Sequence, residues 1–177
     1  MALPEVESAP EGILIDIGTG RGFPGLPLAV ASRRTAILMD SVKKKAVALQ
    51  RFLVQESLES WISVSDERAE TLGSKSPQIA SVVVARAVAT LPVLVELAAP
   101  LLSRGGMLVA LKARPSDMEL HSGRRAAEIC GLEEADLRIL RLPDGDELRT
   151  VVSYVRIGNP SVELPRRTGV AQKRPLA

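Results

Sequence analysis

The chain is predicted to be α/β, with a doubly wound, mostly parallel sheet, on three observations. Short apolar runs alternate with amphipathic segments from Ile13 to Ile157. The first run, Ile13-Leu14-Ile15-Asp16-Ile17, breaks into Gly18-Thr19-Gly20-Arg21-Gly22-Phe23-Pro24-Gly25, after which a helical pattern begins. The last two runs, Asp136–Leu142 and Thr150–Ile157, flank Pro143-Asp144-Gly145-Asp146-Glu147. That hairpin-like turn places one antiparallel strand near the C-terminal edge.

A buried strand, a tight glycine turn and a helix N-terminus together form the cradle that holds nucleotide-like cofactors in open α/β sheets. Pro24 suits the first turn of that helix. Gly20, Gly22 and Gly25 also satisfy G-x-G-x-x-G, a weak dinucleotide signal taken alone. Asp16 at the strand end helps to decide. A carboxylate there repels a pyrophosphate but suits the ammonium of S-adenosylmethionine (SAM), so the registration favours SAM over NAD. The antiparallel closing strand is a second vote, because dinucleotide domains end in a parallel one. The expected architecture is therefore the Rossmann-like fold of class I SAM-dependent methyltransferases.

The remaining elements follow in order. Thr35–Asp40 is a strand ended by Asp40, an acid placed to accept both ribose hydroxyls. The alternative for Asp40, which Ser41 could share, is the cap of the helix expected from Val42 to about Ser57, whose apolar face carries Ala46, Leu49, Leu53 and Val54; the pairing with the glycine loop favours the ribose. Lys43-Lys44-Lys45 opens that helix, where the macrodipole disfavours cations; an RNA-facing rim or a solvated helix start both fit. Trp61–Ser65 alternates like a strand and runs into a polar loop, Asp66-Glu67-Arg68-Ala69-Glu70. Ile79–Val84 is a buried strand ending in Ala85-Arg86-Ala87. Thr90–Leu102 reads as a helix, Gly105-Gly106 as a turn, Met107–Leu111 as a strand and Ser116–Cys130 as a polar helix.

Composition narrows the classes. A chain of 177 residues makes one domain with a proper core. Aromatic side chains are only 2% of it, which argues against a single-strand binder built on stacking platforms. Cys130 is the single cysteine, excluding an internal disulfide, and no Cys/His set suggests a metal. The segment Met1–Gly12 lacks a secretory signal's basic start and apolar stretch. The longest apolar run, Val88–Leu102, is interrupted by Pro92, Glu96 and Pro100, so it is a core helix rather than a membrane span. A monomeric cytoplasmic protein is the default. Net charge is only +2, yet Arg166, Arg167, Lys173 and Arg174 crowd a C-terminal tail that holds no acid after Glu163. Residues 1–157 are expected to be the folded domain and 158–177 a basic tail packed on it or extending from it.

Several of these segments resemble one family. Asp16-Ile-Gly-Thr-Gly-Arg-Gly-Phe-Pro-Gly25, Asp40-Ser41, Arg68-Ala69-Glu70, Ala85-Arg86-Ala87-Val88-Ala89, Leu111-Lys112 and the tail Pro165-Arg166-Arg167-Thr168-Gly169…Lys173-Arg174-Pro175-Leu176 are similar to the bacterial 16S rRNA guanine-N7 methyltransferases, the glucose-inhibited division protein B family. The resemblance implies methyl transfer from SAM to N7 of a guanosine near the decoding region of the small ribosomal subunit. By position it implies a cofactor site of Gly18, Gly20, Gly22, Phe23, Asp40, Ser41, Val42, Ala69, Glu70 and Arg86, with Ala69-Glu70 reading the adenine edge. Lys44, Lys45, Arg68, Lys112, Arg166, Arg167, Lys173 and Arg174 would face RNA. Family members usually carry several helices before the first strand; here residues 1–12 precede it, and that helical segment is expected to be missing.

The chemistry fits the residues. Guanine N7 presents a free lone pair, so attack on a methyl group needs no general base. His121, the single histidine, lies on a polar helix, and no cysteine is placed for covalent attack. Arg86 and Lys112, at strand tips, are the candidate catalytic residues and act by positioning. Arg86 would hold the cofactor carboxylate or a target phosphate, and Lys112 a phosphate or guanine O6; a surface ion pair is the alternative for both.

Overall fold

The computed structural model describes residues 2–142 and 146–177. Pro143, Asp144 and Gly145 of the expected turn lie outside them. The elements run α1 (Leu3–Ser8), β1 (Ile13–Ile17), α2 (Gly25–Ser32), β2 (Ala36–Met39), α3 (Lys43–Gln55), β3 (Ile62–Ser65), α4 (Ala69–Lys75), β4 (Ala80–Arg86), α5 (Leu91–Ala98), β5 (Leu102–Lys112), α6 (Asp117–Cys130), β6 (Leu132–Arg141), β7 (Leu148–Arg156) and α7 (Val170–Lys173). One seven-stranded sheet has the order β3-β2-β1-β4-β5-β7-β6. Strands β1 to β5 pair in parallel, whereas β7 runs antiparallel to both β5 and β6. The chain turns from one half of the sheet to the other between β1 and β4, the switch point where such sheets open a crevice at their carboxyl ends.

Alternation along the strands divides the core. Leu14, Leu38, Val82, Val84 and Val109 face a layer formed with Val6, Leu28, Leu49 and Leu53 of α1 to α3. Ile15, Met39, Val83, Leu108 and Tyr154 face the other way, onto Leu91, Leu94, Ala126 and Cys130 of α5 and α6. Each fully buried Leu or Val contributes about 1.5–3 kcal/mol relative to exposure. Cys130 sits in this core, where burial pushes its thiol up to about 12, an inert group.

The N-terminal segment holds a short helix, α1, whose C-terminal carbonyls the Arg34 guanidinium collects at Val6 (3.0 Å), Ala9 (2.8 Å) and Pro10 (2.6 Å), and Glu5 pairs with Arg138 of β6 at 2.6 Å. Three expectations are corrected. The supposed polar loop ends at Arg68, and Ala69–Lys75 is the helix α4. Helix α5 stops at Ala98 and β5 begins at Leu102, since buried Arg156 donates to Ala99 O (3.1 Å) and Leu102 O (2.5 Å) and fixes the turn between them. Gly105 and Gly106 lie inside β5 at a register shift against β4, not in a turn before it.

Candidate active site

The crevice is built from the carboxyl ends of β1, β2, β4 and β5. Thr19 N donates to Met39 O at 2.8 Å, and Gly22 and Phe23 donate to Thr19 O at 3.0 Å, so the glycine loop curls back over β2. Gly18 has φ +71°, and a Cβ there would meet Val88 Cγ2 at 2.6 Å. Gly20 has φ +61° and nothing within 4 Å of its missing Cβ. A side chain is excluded by conformation at both, and space beside the loop is left for a ligand.

Asp16 does not point into that space. It is fully buried, and its Oδ2 accepts the Gly25 amide at 2.8 Å at the start of α2. Burial raises its carboxyl to about 7, partly opposed by Thr19, the Gly25 amide and the charge of Arg86. Asp16 is thus a strut under the loop, and the sequence-based pairing of its charge with a ligand ammonium is corrected.

Two cavities meet at Gly18. The first is lined by Asp40, Ser41, Arg68, Ala69, Glu70 and Val88 together with Gly169, Ala171 and Gln172 of the C-terminal segment. The second, about 890 Å³, is lined by Thr19, Gly20, Arg21, Phe23, Arg86, Lys112, Arg114, Glu119 and Arg149. The buried Asp40 carboxylate lines the first of them and reaches the glycine loop that borders the second. Its Oδ2 accepts Gly20 N at 3.0 Å, its Oδ1 accepts Val42 N at 2.9 Å, and Lys45 Nζ lies 3.6 Å away. Each oxygen keeps a lone pair for a further hydrogen bond.

Most of the sequence-derived cofactor residues converge here, but in different capacities. Gly18, Gly20, Phe23, Asp40, Ser41, Ala69, Glu70 and Arg86 line one cavity or the other. Gly22 and Val42 line neither; each contributes a backbone amide to the loop geometry. The exposed Arg86 guanidinium sits 6.0 Å from the centre of the Phe23 ring, which is itself exposed.

The expected RNA contacts divide more sharply. Lys112 Nζ pairs with Glu119 Oε1 at 2.7 Å and donates to Ala89 O at 2.8 Å. Arg166 is turned inward onto Glu96, so it is an anchor and not a free cation on the surface. Arg68, Lys44, Arg167, Lys173 and Arg174 are exposed. Sequence reasoning missed Arg114, Arg149, Glu119 and the C-terminal wall. Glu119 carries no motif; it arrives because Ser116 caps α6, accepting Glu119 N at 3.1 Å, and its carboxylate then accepts Leu91 N at 3.0 Å.

The second cavity therefore gathers guanidinium groups around one carboxylate that already has a cation. It suits an anionic ligand and, among the described residues, offers no unpaired base. Among the described residues no cluster of His, Cys, Asp and Glu could hold a metal, and no helix is long and apolar enough to cross a membrane.

The strand order, the single reversed strand and the glycine loop facing an acid-tipped β2 define a class I SAM-dependent methyltransferase. Solved structures share this fold at low identity. A 16S rRNA (adenine(1408)-N(1))-methyltransferase from Catenulisporales acidiphilia matches with TM-score 0.68 and 14% identity, over 88% of this chain and 90% of that one. A geranyl diphosphate C-methyltransferase from Streptomyces coelicolor, solved with S-adenosyl-L-homocysteine, matches with TM-score 0.68 and 12% identity, over 88% of this chain and 78% of that one. The profile of the rRNA small subunit methyltransferase G family matches residues 2–145. Curated relatives of that name are 39% identical over 165 residues in Carboxydothermus hydrogenoformans and in Deinococcus radiodurans, covering 92% of this chain. The match spans 70% of the first relative and 65% of the second. The chain belongs to the rRNA small subunit methyltransferase G family.

Proposed function

We propose that this chain transfers the methyl group of SAM to N7 of a guanosine in small-subunit (16S) rRNA. The observation that carries the reading is the second cavity: Arg21, Arg86, Arg114 and Arg149 line it beside the glycine loop, with no unpaired carboxylate or imidazole among the described lining residues. SAM, when bound, supplies an electrophilic methyl on a sulfonium. The residues fit it. Asp40 lines the first cavity where ribose hydroxyls would sit, the open side of Gly20 admits the chain, and Ala69 with Glu70 borders the adenosine end.

Arg86, over the Phe23 ring, holds a carboxylate or a phosphate in the second cavity. Guanine N7 attacks without losing a proton, so the protein acts by alignment and by stabilising the phosphates around the target. Arg68, Lys44, Arg167, Lys173 and Arg174, all exposed, supply the wider electrostatic footprint. Residues 1–157 form the catalytic domain and 158–177 return onto it, and the chain works as a monomer in the cytoplasm, where ribosomal subunits are. The test is incubation with labelled SAM and small subunits, followed by nucleoside analysis. Labelled 7-methylguanosine supports the reading; label in another nucleoside overturns it.

A further inference from the structure

The segment after β7 is not a loose tail. Ser161 N donates to Ile129 O at 2.8 Å, fastening its start to α6. The Arg166 guanidinium then grips Glu96 of α5 with two bonds, Nε to Oε1 at 2.7 Å and Nη2 to Oε2 at 2.5 Å. Arg166 Nη2 also donates to Arg174 O at 2.7 Å, closing residues 166–174 into a loop. Gly169 N donates to Glu70 Oε1 at 2.9 Å. Leu164 and Leu176 pack on the core that Leu94, Val95 and Ala98 help to form, and Ala171 is buried.

This course puts Gly169, Ala171 and Gln172 in the lining of the first cavity, together with Asp40 and Ser41. Glu96 is 3% exposed, so its charge is tolerable only while Arg166 covers it. The latch is therefore firm, and what it holds in place is one side of a ligand cavity.

We propose that residues 164–176 form a fixed wall of the adenosine subsite, latched by Arg166 on Glu96, with Gly169 and Gln172 as further cofactor-binding residues. Glu70 serves both partners: Oε1 holds the strap through the Gly169 amide, and Oε2 is left for the ligand. Arg166 and Glu96 are positioning residues, since they act through the strap and not by touching the ligand. The proposal rests on SAM occupying this cavity.

Two measurements on the full chain test it. In the first, SAM affinity is measured by calorimetry for the wild type, Arg166→Ala and Arg166→Lys. Loss of the latch is expected to weaken binding by about tenfold or more. Arg166→Lys, which keeps the charge but loses the fork, recovers part of that. In the second, hydrogen exchange of the unaltered chain is compared with and without SAM. Exchange at Gly169 and across residues 170–174 is expected to slow on binding, and this arm stands even if Arg166→Ala fails to fold. A folded Arg166→Ala with wild-type affinity, or a strap whose exchange is unchanged at saturating SAM, overturns the proposal. A wild-type chain that does not bind SAM overturns the underlying site assignment instead, and the two failures are told apart by that control.

Discussion

Asp40 Oδ2 accepts the amide of Gly20 at 3.0 Å, joining the tip of β2 to the glycine loop twenty residues earlier in the chain. The acid proposed to meet a ribose thus also holds the glycine loop. Its second oxygen is tied to Val42 N, so the carboxylate bridges two turns. Replacing Asp40 by Ala removes both bonds and is expected to cost about 1–3 kcal/mol of stability, with a larger proportional loss of SAM binding. Asp40→Asn turns an NH2 group toward one of the two amides, so it falls between Ala and wild type. Denaturant unfolding and SAM calorimetry on both variants check this. SAM binding unchanged in Asp40→Ala removes Asp40 from the site.

Asp16 gives a pH signature. Burial lifts its carboxyl to about 7 from the ordinary aspartate value of 3.8, so between these the native state binds more protons than the unfolded one. Stability from this group therefore falls as pH rises from about 4 to about 7 and is level above that. Asp16→Asn keeps an acceptor for Gly25 and removes the titration. Its unfolding free energy, relative to wild type, is expected to improve steadily through that window. Urea titrations across the range decide; a difference that stays flat with pH contradicts the assignment.

Gly123 of α6 is required by Tyr154. A Cβ at residue 123 would lie 2.6 Å from Tyr154 Oη and 2.9 Å from Leu91 Cβ. Gly123→Ala is expected to destabilise the fold by about 1–3 kcal/mol. Tyr154 Oη is buried without a hydrogen-bond partner, so Tyr154→Phe alone costs little and relieves part of the clash in the double variant. Denaturant melts of the four proteins form the cycle; strict additivity contradicts the contact.

Much of this architecture was legible because periodicity and glycine spacing are local signals. Each run from Ile13 to Ile157 that read as a strand forms one, and the reversed strand near the edge is β7 between β5 and β6. The failures have a common cause. Helices α1 and α4 are too short to show a period, and α1 is held by residues remote in sequence: Arg34 takes carbonyls at its C-terminal end and Arg138 pairs with the Glu5 side chain. The start of β5 is fixed by Arg156, another distant residue. In the site, the glycine loop, Asp40 and Arg86 were visible as strand-end motifs. Asp16 was misread because its neighbours, Gly25 and a dry interior, follow only from the folded turn. Charge alone gave no sign that Arg166 would meet Glu96 while Arg167 stays exposed.

Arg86 separates function from folding. Its side chain is exposed and rests on Phe23, so Arg86→Ala is expected to shift stability by less than about 0.5 kcal/mol. Methyl transfer is expected to fall by roughly a hundredfold or more, the loss typical of one preorganised charge at a reacting centre. Steady-state kinetics alongside a denaturant melt checks both halves. Normal turnover in Arg86→Ala removes it from the mechanism.

The most direct test of the whole account is methyl transfer from labelled SAM to small ribosomal subunits that lack the modification, with the product mapped by N7-specific strand scission. The account predicts scission at one guanosine, dependent on Asp40 and Arg86. Bound SAM with no transfer, or label at a position other than guanine N7, contradicts it.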